Sequence, residues 1–163
     1  MTPAFAGVFV FAVPFQYLFN YCAHNGCTPT DSGDLRGRDG YGSGEFGASR
    51  GMRGHAGQDF VASPSEEIVA PISGVARLAY PYPGDTSLTG VAISGRNGEV
   101  ANVFYVSPYD GIVGSRVSVG QPIGTAQNLQ VKYPNGMTNH VHAEIRVQGS
   151  SPQPLLNYIQ GGR

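Results

Sequence analysis

Charge is scarce in this sequence. Asp, Glu, Lys and Arg make up 13% of 163 residues and nearly cancel, leaving a formal net charge of −1. That balance excludes a general electrostatic pull on nucleic acid, and no nucleic-acid partner is expected. Residues 1–30 carry no charged side chain at all. Within them, residues 3–19 (PAFAGVFVFAVPFQYLF) are almost wholly apolar, yet Pro14 interrupts the run. It is also shorter than the ~20 residues that cross a bilayer. A signal peptide would carry a positive leading region and a small-residue cleavage site, and neither is evident. Phe5, Val8, Phe9, Val10, Phe11 and Val13 favour a strand. An exposed apolar strand aggregates unless another chain covers it. The stretch that opens at Met1 and closes at Phe19 is therefore read as an apolar β-rich arm that docks on other subunits of an assembly.

Long amphipathic helices and internal repeats are also missing, which argues against a helix bundle. Turn formers are plentiful, at 24 glycines and 12 prolines, and point to short strands joined by loops. Residues 68–78 read as two short strands around APISG. Residues 90–98 read as a strand and a turn, with Asn97-Gly98 as a hairpin signal. Residues 100–106 supply the paired strand, 117–124 a turn and a strand, 137–147 the last long strand, and 155–160 a short helical turn. The expected fold is mainly β: a single antiparallel β domain with an open groove across a sheet. Residues 1–30 form the arm with a Cys-x4-Cys loop, and residues 31–163 form the β domain, a length that suits one core.

Cysteine is scarce too. Cys22 and Cys27 are the only two. A disulfide between them would close a small loop in an oxidising compartment. Free thiols, or a second metal site that includes His24, are the alternatives; three ligands so close in sequence make poor tetrahedral geometry. Four arginines (Arg36, Arg38, Arg50 and Arg53) lie in a Gly-rich stretch over residues 35–54. They either tie that loop down or line a groove for an anionic wall polymer.

Histidine is rare, and its placement is informative. Of four histidines, three fall in two short motifs: His55 in HAGQD, and His140 and His142 in NHVHAEI. Catalytic zinc takes three ligands from His, Asp or Glu and keeps one position open. On a strand, His140 and His142 point to one face. His55 and Asp59 lie four apart around Gly57, which is expected to let the backbone bend so that both side chains converge. The bland alternative makes the histidines half-buried strand and loop residues with no metal.

The surroundings resemble the lysostaphin/LytM-type zinc metallopeptidases. HAGQDFVASPSEEIVAPISGVA is similar to that family's opening segment, with Val69, Ala70, Gly74 and Val75 in its second half. VSVGQPIGTAQ is similar to its V-x-x-G-Q-x-I-G turn, through Gly120, Gln121, Ile123 and Gly124. NHVHAEIRV is similar to its closing strand. The resemblance implies a Zn²⁺ site of His55, Asp59 and His142, with His140 as the catalytic histidine. It also implies hydrolysis of peptide cross-links in bacterial peptidoglycan, with residues 35–52 and 80–88 lining the groove and Tyr80 and Tyr82 either packing on substrate or anchoring loops.

One departure stands out. The family carries a second histidine in Y-x-H-L, where this chain has Tyr105 and then Ser107. The vertebrate leukocyte cell-derived chemotaxin subgroup is similar in CAHNGC, GVAISGR, FYVSP and YPNGMTNHVH. It implies a zinc-binding module without turnover, serving wall or partner binding or a structural role, and it supports the Cys22–Cys27 bridge. Bacterial and tailed-phage wall peptidases resemble the chain through RGRDGYGSGEFGASRGMRGHAGQDF. They imply an endopeptidase at a virion-associated or extracytoplasmic location, with Tyr105 or Ser107 standing in for the missing histidine.

Overall fold

The computed structural model describes residues 22–161; the apolar arm from Met1 to Phe19 lies outside the described residues. Eleven strands, one short α-helix and a 3-10 turn at Leu129–Val131 make up the regular structure among them. Every strand pairing is antiparallel, as the turn-rich composition predicts.

The main sheet has six strands. They are β3 (Gln58–Val61), β5 (Gly74–Ala79), β6 (Gly90–Ser94), β7 (Glu99–Phe104), β9 (Arg116–Val117) and β11 (His140–Val147), and they run in the spatial order β3-β11-β7-β6-β5-β9. A smaller sheet orders β4 (Glu67–Val69), β10 (Pro122–Ala126) and β8 (Val106–Pro108) as β4-β10-β8. The first two strands, β1 (Cys22–Ala23) and β2 (Gly26–Cys27), form a ribbon of their own.

Alternation decides which face of the main sheet is core. Phe60, Val91, Ile93, Val103, Val141 and Ile145 are fully buried. They join one cluster with Ile68, Val106 and Ile123 of the smaller sheet and with Leu155 and Ile159 of α1 (Leu155–Ile159). Each such side chain contributes roughly 1.5–3 kcal/mol of burial. The residues between them on β11 (His140, His142, Glu144 and Arg146) take the opposite face, which is the groove.

The β6–β7 hairpin closes where Asn97-Gly98 predicts it. Gly95 N donates to Glu99 O at 2.8 Å across a three-residue loop, with Gly98 left-handed at φ 84°. The expected strand over residues 100–106 is, however, two strands in two sheets. Tyr105 has φ 69°, which ends β7, and both Tyr105 N and Val106 N donate to Thr89 O.

Cys22 and Cys27 form a disulfide, so neither free thiols nor a metal site with His24 applies. Residues 25–30 pack on the domain. Asn25 N donates to Ile159 O, Cys27 N to Pro71 O, and Val69 N to Pro29 O.

Candidate metal centre

Two adjacent strands supply the centre. Asp59 on β3 and His142 on β11 are cross-strand partners, so their side chains leave the sheet side by side. His55 reaches them from the segment ahead of β3. Gly57 makes this approach possible by its size: a Cβ there would meet Ala143 O at 2.5 Å and His142 Nε2 at 2.7 Å. Its φ is not in the left-handed region, so space, rather than the backbone bend expected from the sequence, explains the glycine.

Three ligand atoms converge. His55 Nε2 lies 2.9 Å from His142 Nδ1 and 3.1 Å from Asp59 Oδ1, and His142 Nδ1 lies 2.9 Å from Asp59 Oδ1. Ligands ~2.0–2.1 Å from a tetrahedral zinc stand about 3.3 Å apart, so this triangle suits that ion. Among the described residues it is the one His/Cys/Asp/Glu group able to hold a metal.

Each ring is oriented from behind. His55 Nδ1–H donates to Glu45 O at 2.8 Å, which leaves the Nε2 lone pair facing the triangle. His142 Nε2 faces Glu144 Oε2 at 3.9 Å, and Asn102 Nδ2 holds the other Glu144 oxygen at 2.7 Å. His142 also stacks on Phe104, its partner on β7, with ring centroids 5.9 Å apart. His140 sits one alternation up the strand. Its Nδ1–H donates to Thr138 O at 2.6 Å, and its Nε2 lies 3.6 Å from Asp59 Oδ2. Burial holds the His140 pKa below the ordinary histidine value, although Asp59 pulls it upward.

Asp59 is buried, which alone would raise its pKa; hydrogen bonds from His142 and His55 outweigh burial and push it well below the usual carboxylate range. A buried guanidinium completes the balance. Arg36, 2% exposed, donates Nε and Nη2 to Asp59 Oδ2 at 3.1 and 2.9 Å. Its Nη1 holds Gly42 O at 3.0 Å and pairs with Asp39 Oδ2 at 2.6 Å. Arg50 Nη2 donates to Ser43 O at 2.7 Å. Arg36 and Arg50 thus tie down the Gly-rich loop, and Arg36 also positions a candidate ligand.

The groove above the centre has a volume of about 450 Å³. Tyr82 lines it and Tyr80 does not. Tyr105 lines it too, with its ring edge-on to His140 at 5.3 Å. Ser107, which the sequence places at the histidine position, is exposed, pairs with Thr125 in the smaller sheet and does not line the groove. The left-handed Tyr105 causes this change, because it resets the alternation between β7 and β8. Tyr133 Oη donates to Tyr82 Oη at 2.9 Å, and Tyr82 Oη lies 2.9 Å from Tyr105 Oη. Burial and the bond to Tyr82 raise the Tyr105 pKa, so its hydroxyl keeps its proton.

The sequence reading placed Arg36 only as a loop or groove arginine and missed its clamp on Asp59; Glu144, Arg146 and Tyr133 it did not single out. A signal existed for two of these three: Glu144 and Arg146 continue the period-2 face that begins at His140 and His142.

Comparisons with known proteins bear on the fold and the family. Leukocyte cell-derived chemotaxin-2 of Mus musculus is 34% identical over 136 residues, covering 81% of this chain and 85% of that protein. Among solved structures, the chain is similar to lysostaphin in solution (TM-score 0.56, 21% identity, 74% of this chain). It spans half the length of that lysostaphin chain. It is also similar to the catalytic domain of EnpA, a prophage-encoded M23 protein from Enterococcus faecalis (TM-score 0.51, 18% identity, 85% of this chain and 97% of that one). Likeness at these identities shows the fold. Residues 53–154, which hold all three candidate ligands and His140, match the family model of Peptidase family M23, and the chain belongs to that family.

Proposed function

We propose that this protein is a zinc-dependent endopeptidase that hydrolyses peptide cross-links of bacterial peptidoglycan. The observation that carries the reading is the triangle of His55 Nε2, Asp59 Oδ1 and His142 Nδ1 at 2.9–3.1 Å, open to a groove that His140 also lines. Zinc held there supplies Lewis acidity to a peptide carbonyl and to a water molecule.

The chain's own residues do the rest. His140 holds a lone pair at Nε2 because Thr138 O fixes its other nitrogen as N–H; it takes the proton of the attacking water and returns it to the leaving amine. Tyr105 donates its hydroxyl to the developing oxyanion, in place of the family's second histidine. The donor chain supports this role: Tyr133 gives its proton to Tyr82, which can give its own to Tyr105, leaving the last hydroxyl free for the groove. Arg36 keeps Asp59 from turning away.

The disulfide fits an oxidising compartment, and we place the protein outside the cytoplasm or on a virion, with the arm from Met1 to Phe19 as its contact to other assembly subunits. No helix among the described residues is long and apolar enough to cross a membrane.

A second reading rests on the likeness to a chemotaxin over 85% of that protein's length and on the absence of a second catalytic histidine beside Tyr105. In it, the domain is a catalytically inactive zinc-binding module that binds wall or partner. Muropeptide release from purified peptidoglycan separates the two readings. Zinc-loaded wild type is expected to liberate new amino termini, and His140→Ala is not. Absence of release across several peptidoglycan chemistries, from protein holding one zinc, would favour the module.

A further inference from the structure

The groove is more cationic than the chain around it. The whole sequence has a net charge of −1, yet the groove is lined by Arg36, Arg50, Arg53 and Arg146 against only two carboxylates, Asp59 and Glu144. Two of those guanidiniums are committed elsewhere: Arg36 to Asp59 and Asp39, and Arg50 to the carbonyls of Ser43 and Ser49. The other two are held loosely or not at all. Arg53 is exposed and has no side-chain hydrogen bond or ion pair among the described residues. Arg146 approaches Glu144 only at 3.8 Å, with its side chain 42% exposed. Glu144 is itself engaged by Asn102 and faces His142.

We propose that Arg53 and Arg146 form a carboxylate-binding subsite that selects peptides bearing a free carboxylate a few residues from the bond at the metal centre. This rests on the reading above that the groove takes peptides.

The placement follows from the strands. His142, Glu144 and Arg146 share one face of β11, and four residues of strand span about 13 Å. Antiparallel pairing brings the chain into β3 from the Arg146 end of β11, and Arg53, five residues ahead of β3, lines the same groove. Glu144 stands between and repels a carboxylate close to the centre. The charge therefore belongs at the outer end, two to four residues along an extended peptide at about 3.3 Å per residue. A guanidinium fork matches the two oxygens of a carboxylate. The groove's other lining, Phe104, Tyr41 and Tyr133, suits a peptide better than a bare phosphate chain.

The test uses fluorescein-labelled, carboxamide-ended glycine peptides in pairs that differ only in a Glu or a Gln, placed two, three or four residues to either side of the central bond. Binding is read with full-length, zinc-loaded His140→Ala, so that no turnover intervenes. One Glu peptide is expected to bind about tenfold more tightly than its Gln twin, with the gap closing as salt rises. Adding Arg53→Ala and Arg146→Ala, with one zinc per chain verified, is expected to erase the gap. Equal binding within every pair, or no binding, overturns the subsite. So does stronger competition by poly(glycerol phosphate) than by the Glu peptide. Cleavage by wild type is scored separately. A Glu preference without cleavage leaves the subsite standing, and the muropeptide assay then decides the peptidase reading. Cleavage of both twins with equal affinity overturns the subsite and leaves the peptidase reading standing.

Discussion

Arg36 lays Nε and Nη2 on one oxygen of Asp59, Oδ2, and leaves the other, Oδ1, to His55 and His142. The carboxylate is divided between a buried clamp and the candidate metal position. Such a clamp orients the ligand as much as it balances charge.

Arg36→Lys tests that division. An ammonium is a point charge and cannot reproduce the fork that places both donors on one oxygen. The expected result is a 10- to 100-fold loss in zinc affinity with the fold retained, measured by competition against a chromophoric chelator. Arg36→Met removes the charge as well and leaves buried Asp59 with only the longer contact to Arg50 Nη2, at 3.6 Å. A loss of about 3–5 kcal/mol in metal-free stability is expected, and urea unfolding reads it. Unchanged zinc affinity in Arg36→Lys would make the pair a loop anchor only.

Zinc itself should stabilise the fold. A ligand present at 100 times its Kd adds about 2.7 kcal/mol, which for a domain of this size raises Tm by roughly 5–10 °C. EDTA is expected to reverse the shift, and His55→Ala to abolish it. An equal zinc response in His55→Ala would remove that residue from the ligand set.

The convergence of His55, Asp59 and His142 was expected from the family resemblance, and the groove face was legible because it rests on a local pattern. His55 and Asp59 flank a glycine, and the period-2 run from His140 sets one face of a strand. Strand positions were legible for the same reason. Two features were not. Arg36 meets Asp59 across 23 residues of Gly-rich loop, and no periodicity records a contact made by a folded loop. Tyr105 is left-handed, and a single such residue shifts every later side chain relative to an uninterrupted strand. That shift is why Ser107 reads as a groove residue from sequence and lies in the smaller sheet in the structure.

Acid should loosen the support of His140 before the core yields. Asp39 Oδ2 accepts from Thr138 N at 3.0 Å, and Thr138 O holds the His140 ring. Burial would raise the Asp39 pKa, but the hydrogen bonds from Arg36, Thr138 and Tyr41 outweigh it and lower the value to about 2. A carboxylate depressed in the folded state stabilises above its unfolded pKa, about 3.9, and loses that contribution as pH falls through the folded value. Wild type is therefore expected to melt above Asp39→Asn at pH 5, with the gap shrinking between about pH 4 and pH 2. A gap independent of pH over that window would assign the loss to packing.

The Cys22–Cys27 bridge closes a loop of five residues' separation. Loop-closure entropy for so short a ring gives about 2 kcal/mol. The double Ser variant is expected to lose that much in urea unfolding. Its zinc affinity should not change, because no residue of the ribbon lines the metal groove. A fall in zinc affinity would show that the ribbon's packing on Pro71 and Ile159 reaches the centre.

Tyr105 and Ser107 offer the sharpest contrast. Both sit where the family's second histidine is sought, yet only Tyr105 lines the groove, and it does so with φ 69° and a hydroxyl bonded to Tyr82. A non-glycine residue in that region costs about 1–3 kcal/mol and persists where the surroundings enforce it, often at functional sites. Tyr105→Phe keeps the ring against His140 and deletes the donor alone. If Tyr105 stabilises the oxyanion, kcat on a peptidoglycan peptide falls by about 10²–10³ with KM nearly constant. Ser107→Ala, altering an exposed side chain of the other sheet, should leave both constants within about twofold, the range of surface changes near ±0.5 kcal/mol. The reverse pattern, with Ser107→Ala slow and Tyr105→Phe intact, would restore the sequence-based assignment and require the β7–β8 junction to rearrange when substrate binds.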